Sequence, residues 1–213
     1  MKLSAQGAET KRKIMGAAAE VFGRQGVRAT RPMQIIQASG VTKGEFYHYF
    51  KNKEGLVQEV LHASAMAIET NTAPISYECH SWADLERCVL AHIEFQKHFN
   101  MTRSCPIGTV ANEITENDEL VRRQLSLIFE NMKRKLTAFL SKEQADGRLV
   151  QEADVDGIAD FCLSIIQGAM LLGRVKKDVD PVEGSFHEAM VHLRRYTVLP
   201  KAEPQYSALA ARP

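Results

Sequence analysis

Apolar side chains in this chain recur at spacings of three and four residues, and no segment alternates them with polar ones at a spacing of two. The first spacing is one face of an α-helix and the second that of a strand, so the pattern restricts the chain to an all-α fold. Residues 9–25 carry Ile14, Ala18, Val21, Phe22 and Gln25 on one such face, and Gly26 follows as a stop. Thr30 offers a cap for a short helix through Ile35, Ile36 and Ala38; Gly40 breaks it, and Thr42 caps another through His48. Asn52 starts a fourth helix, whose stripe of Leu56, Val57, Val60, Leu61, Ser64 and Ile68 runs towards Pro74. Further helices are predicted over about 81–98, 107–115, 119–145, 154–173 and 183–197, with breaks at Pro106, residues 116–118, Gly147 and Pro181.

Charge divides this helical chain. Its 213 residues are 45% hydrophobic and 25% charged, the balance of a soluble folded protein. Residues 1–62 hold ten Lys and Arg against five Asp and Glu, which leaves 17 and 21 for the rest, or about +5 against −4. Such asymmetry points to an anion-binding N-terminal module joined to a part with another task. The N-terminal stretch, broken by Glu20, Arg24 and Arg28, resembles neither a signal peptide nor a membrane span, so a cytoplasmic protein is expected.

The basic module concentrates its chemistry in residues 40–55, GVTKGEFYHYFKNKEG, where a turn glycine, four aromatic rings, three lysines and a histidine share sixteen positions. Two short helices on either side of one glycine make a helix-turn-helix, which lays its second helix in the major groove of DNA. Free N–H groups at the start of that helix place Thr42, Lys43 and Gly44 for phosphates or base edges, and the bare glycine lets the backbone come close. Phe46 and Phe50, four apart, are expected to pack inward with Ile36 and Val41, leaving Tyr47 and Tyr49 half-wet and His48 within reach of the backbone of DNA.

The stretch ATRPMQIIQASGVTKGEFYHYFKNKEGL, residues 29–56, resembles the DNA-binding signature of the TetR/AcrR family of one-component transcriptional regulators. The resemblance implies an all-α homodimer: a three-helix helix-turn-helix domain over residues 1–52, and a helical ligand-sensing and dimerisation domain over 53–199. Residues 200–213 form a tail expected to be disordered. By the same resemblance Thr42, Lys43, Gly44, Tyr47, His48 and Lys53 touch DNA, with Thr30 and Arg31 joining them. Ile36 stands where alanine is usual, Pro32 and Met33 replace an apolar and acidic pair, and Glu45 puts an acid at the groove. There it can accept from cytosine N4 or repel the wrong sequence. The implied partners are a palindromic double-stranded operator, a small-molecule inducer or thiol-reactive compound, and a second copy of the chain; no membrane partner and no cofactor are expected.

For the sensing domain, Phe95, Phe99, Phe129, Met132 and Phe161, together with Trp82, are candidate pocket residues, though aromatic and methionine side chains fill helical cores in any case. The run RSCPIG, residues 103–108, is sharper: proline suits the first turn of a helix, so Cys105 falls at a helix N-terminus with Arg103 close by, and both favour a thiolate. The CPIG cysteine resembles that of a subgroup containing both aromatic-ligand repressors and cysteine-based sensors; the plain alternative is a small core residue. Cys88 and Cys162 fall on apolar faces, Cys79 beside His80 is read as exposed, and no CxxC pair occurs. His92 and His98, six apart, do not face each other, so no metal site is predicted. The two last helices carry wide apolar faces with Gly168 and Gly173, fit for a four-helix dimer interface. A rival reading, a cysteine-dependent helical enzyme or thiol redox protein using Cys105 with His98 or His92, has no fixed-spacing catalytic signature and leaves the basic stretch unexplained; no catalytic residue is assigned.

Overall fold

The structure is a computed structural model that describes residues 4–198; the tail expected over 200–213 lies outside them. Ser4 opens α1, Ala5–Gln25, by accepting from Gly7 N–H at 3.1 Å, so the helix starts four residues before the apolar stripe announces it. Gly26 closes it in a positive-φ conformation, 83°, that costs glycine nothing. Then come α2, Pro32–Ser39, and α3, Lys43–Tyr49, separated by left-handed Gly40, with Asn52 capping α4, Lys53–Glu69. The chain continues through α5, Trp82–His98; α6, Pro106–Ala111; α7, Glu119–Ala145; α8, Val155–Lys176; and α9, Asp180–Arg194. Apart from one antiparallel bridge, Leu149 with Thr197, the described residues hold no β-structure, as the periodicity requires.

Two packing units emerge, each taken over its described residues: Met1–Ala73 with Arg103–Ile128, and Pro74–Thr102 with Phe129–Pro213. These divisions do not follow the boundary expected after residue 52. The whole of α4 belongs with the first unit because Leu56, Val57, Val60 and Leu61 are buried in it, and α6 joins by packing on α1. Its core is built from Ile14, Ala18 and Phe22 of α1, Ile35 of α2, Phe46 of α3 and Leu56 of α4, all within 2% of full burial.

The second unit buries Ile93 of α5, Leu136 and Phe139 of α7, Met170 of α8, and Val182 and Phe186 of α9. Gly173 lets α8 and α9 close up, since a Cβ there would meet Val182 and the carbonyl of Asp178. His92, Gln96 and Glu143 are polar groups built into this core. Glu143, almost fully buried, is gripped by Arg148 and accepts from Trp82 Nε1 at 2.9 Å; the guanidinium holds its carboxyl below the usual range. His92 lies 2.7 Å by Nδ1 from the Cys88 carbonyl and 3.1 Å by Nε2 from the Tyr77 hydroxyl. The carbonyl can only accept, so Nδ1 carries the proton and the tyrosine donates to Nε2.

Burial pushes the His92 pKa down to about 4 from an ordinary 6.5. In that window the unfolded chain takes up a proton that the folded one refuses, so the contribution to stability is complete above pH 6.5 and lost as pH falls towards 4. On this account unfolding free energy drops by about 3 kcal/mol between pH 7 and pH 4. Urea titrations should show that slope reduced in His92→Gln, and parallel pH dependences in the two proteins would rule the account out.

Candidate functional site

A reciprocal cap at its N-terminus marks where α3 starts. Thr42 Oγ accepts from Glu45 N–H at 3.2 Å, while the Glu45 carboxylate accepts from Thr42 N–H at 2.7 Å and from its hydroxyl at 2.8 Å. This reciprocal cap holds the Glu45 carboxyl below the usual carboxylate range, chiefly through the Thr42 backbone bond. Glu45, expected as a possible reader of cytosine, thus spends an oxygen on its own helix; the T-x-x-E spacing that does this was visible in the sequence.

Beneath the cap, Phe46 and Phe50 are buried with ring centroids 6.1 Å apart, as their four-residue spacing predicts. Burying that side turns Lys43, Gly44, Tyr47 and His48 outward, all four exposed. Tyr47 keeps 44% of its surface accessible while its ring stands edge-on to Phe46. The fold has no need of glycine at 44, where a Cβ would meet nothing nearer than Thr42 Oγ at 3.9 Å. The first turn of α3 is therefore bare on its outer side.

Around α2 the structure departs from expectation. Thr30 does not cap the helix and does not reach the surface: its hydroxyl donates to the Gly26 carbonyl at 2.5 Å and the residue is buried. Arg31 takes the cap position instead, exposed, with its N–H donated to Gln34 Oε1 at 2.7 Å. Gln25, unremarked in the sequence except as a face residue, donates to that same oxygen and to the carbonyl of Ala29. Lys53 turns inward, its ammonium donating to the carbonyls of Val27 and Thr30 at 2.9 and 3.2 Å. Of the expected contacts, Arg31, Thr42, Lys43, Gly44, Glu45, Tyr47 and His48 are exposed, whereas Thr30 and Lys53 serve the scaffold.

Cys105 caps α6, accepting from Gly108 N–H at 3.5 Å, and is buried. Arg103 pairs with Glu20 at 3.1 Å. The other thiols are held protonated by burial, Cys79 at about 11 and Cys88 and Cys162 at about 12. Cys79, read as exposed, is buried; its neighbour His80 is the exposed one. The six pocket candidates do not line one cavity; Trp82 packs on Phe139 and donates to Glu143. Phe95 stands edge-on to Phe99 with ring centroids 4.9 Å apart, Met132 is core, Phe129 is half-buried, and Phe161 lies beside His192 in an open groove of about 640 Å³ between α8 and α9. An enclosed cavity among Leu85, Cys88, Leu136, Cys162 and Phe186 measures only about 20 Å³, room for one water.

Residues 14–60 match the profile of bacterial regulatory proteins of the tetR family, and residues 82–185 match that of the LmrA/YxaF-like transcriptional regulator C-terminal domain. The chain belongs to the TetR family. Similar to it are the HTH-type transcriptional regulator YxaF of Bacillus subtilis, 28% identical over 178 residues that span 82% of this chain and 90% of that one, and the HTH-type transcriptional repressor DhaR of Mycobacterium sp. strain GP1, 24% identical over 179 residues, 77% and 82% of the two chains. The crystal structure of regulatory protein TetR from Rhodobacter sphaeroides superposes with a TM-score of 0.74 over 88% of this chain and 98% of that one, at 23% identity, which establishes the shared fold. As a TetR-family regulator the chain is a helix-turn-helix DNA-binding protein, with α3 inside the matched helix-turn-helix stretch.

The cap and the outer face of that helix have separable roles. Thr42→Ala should cost about 1 kcal/mol of stability, whereas Lys43→Ala and Tyr47→Ala, both at exposed positions, should stay within about 0.5 kcal/mol; urea unfolding of the three variants measures this.

Proposed function

We propose that the protein is a cytoplasmic transcriptional repressor that binds a palindromic operator as a homodimer and leaves it when its C-terminal part meets a small molecule or when Cys105 is modified. The observation that carries the reading is the outer face of α3: Lys43, bare Gly44, Tyr47 and His48 displayed together over a buried aromatic base. A cation and a tyrosine hydroxyl suit phosphate oxygens, and the bare turn admits a base edge. The name of the relative DhaR supports repression. In this reading residues 1–52 recognise DNA and residues 53–199 sense and dimerise.

Dimerisation is supported by α8 and α9. On α8, Phe161, Ile165, Gly168, Leu171, Leu172 and Val175 fall on one helical stripe, with Leu171, Leu172 and Val175 exposed by 45% or more. Gly168, and Gly184 on α9, have no neighbour within 4 Å of an added Cβ, so a second helix can approach closely. A second copy covers such a self-complementary surface under two-fold symmetry. Val175→Glu should shift the protein to monomers in sedimentation equilibrium and, by halving the sites in contact, weaken operator binding.

A gel shift on DNA flanking the protein's own gene tests the reading. Binding should fall steeply with salt through counterion release; Lys43→Ala should reduce both affinity, roughly tenfold, and the salt slope, by about one. A thiol electrophile that releases DNA from the native protein and not from Cys105→Ser assigns the sensor to that cysteine. Indifference to the electrophile assigns release to a non-covalent ligand. A thiol enzyme without DNA binding would show no salt-dependent shift on any duplex.

A further inference from the structure

The turn that carries the chain from α1 into α2 is held from two sides by residues distant in sequence. Lys53 approaches from α4 and takes the carbonyls of Val27 and Thr30. From just beyond α6, a single carboxylate oxygen of Glu113, Oε2, accepts from both Val27 N–H, at 2.7 Å, and Arg28 N–H, at 2.9 Å. Two consecutive amides converging on one oxygen are the means by which backbone binds an anion, and a charged acceptor strengthens each bond. Gly26 is part of the same arrangement, because a Cβ there would overlap the Glu113 carboxylate. Elsewhere in the segment, Pro106 lies against Gly23, and Arg103 pairs with Glu20, so residues 103–113 are fastened to α1 along their length.

Glu113 stands within the stretch that matches the family's C-terminal domain, yet its carboxylate ends on amides of the stretch that matches the N-terminal one. A displacement of α6 therefore pulls on the turn that sets where α2 and Arg31 begin. We propose that Glu113 is a positioning residue for DNA recognition: it clasps the α1–α2 turn and transmits the position of α6 to the helix-turn-helix. This rests on the DNA-binding reading above. A cleft of about 220 Å³ beside the clasp, lined by Val27, Arg28, Lys53, Val57 and Val110, gives the carboxylate room to leave without disturbing the core.

Chemistry separates the clasp from general stabilisation. Since Oε2 alone receives both amides, the carboxamide oxygen of glutamine can take its place, whereas aspartate is one methylene too short and alanine has no acceptor. Hydrogen exchange by mass spectrometry is followed on the full chain, alone and with a duplex selected by the native protein from a random pool. In Glu113→Ala and Glu113→Asp the peptide covering residues 24–31 should exchange about tenfold faster and duplex affinity should fall about tenfold, with Glu113→Gln close to native. Coupling is reciprocal, so the duplex should also slow exchange over residues 107–113 in the native protein and in Glu113→Gln, and lose that effect in Glu113→Ala and Glu113→Asp while still protecting α3. A merely structural glutamate would leave the duplex-dependent protection of 107–113 intact. If Glu113→Ala does not fold, the comparison of aspartate with glutamine decides. Failure of the native protein to select any duplex would remove the DNA-binding reading itself. A duplex that protects α3 but never residues 107–113, or protects them equally in Glu113→Asp, overturns the clasp alone.

Discussion

Burial of Phe46 and Phe50 is the interaction on which the rest of the helix-turn-helix depends. A helix of seven residues is too short to persist in water by its own hydrogen bonds. Its reciprocal Thr42–Glu45 cap fixes where it starts, but only the two rings fix which side faces the protein. Once they are inside, the helical period leaves no choice for Lys43, Gly44, Tyr47 and His48. The outer face of α3 is thus the complement of a hydrophobic anchor, and its chemistry can vary with little effect on the fold.

What could be read in the sequence and what could not divide along the range of the interactions. Helix order, the two glycine stops, the buried pair of phenylalanines and the outward Tyr47 all follow from spacing within a few residues, and the structure agrees. Thr30 misled because a hydroxyl near a helix start has two local options, the free amides ahead and a carbonyl behind, and here it takes the carbonyl of Gly26. Lys53 and Glu113 had no local signal. Their partners lie 23 to 26 and 85 to 86 residues away, and only the packing of α4 and α6 against α1 brings them to one turn. Resemblance implied that Lys53 touches DNA; in the structure its ammonium is engaged by the carbonyls of that turn.

The second unit makes a similar point about polar residues. His92, Glu143 and Gln96 are buried, and the first two are satisfied by partners that sequence spacing does not announce, Tyr77 and Trp82 among them. The aromatic residues that suggested a pocket do not line one cavity, and the apolar space between α5, α7, α8 and α9 measures only about 20 Å³. An effector of any size entering that space has to displace side chains, so binding there and rearrangement would be a single event, with affinity set by the cost of opening.

The apolar character of α8 has a consequence in the life of the chain. With 22 residues it is long and apolar enough, by composition, to cross a membrane, because its apolar residues serve two sides: one packed on α5 and α9, the other uncovered. Unless the proposed second copy covers it, that side stays exposed as a sticky ridge, the kind of surface that chaperones and proteases act on. Surveillance of solitary chains would then make the abundance of the regulator rise more than linearly with its synthesis, a threshold built into one helix.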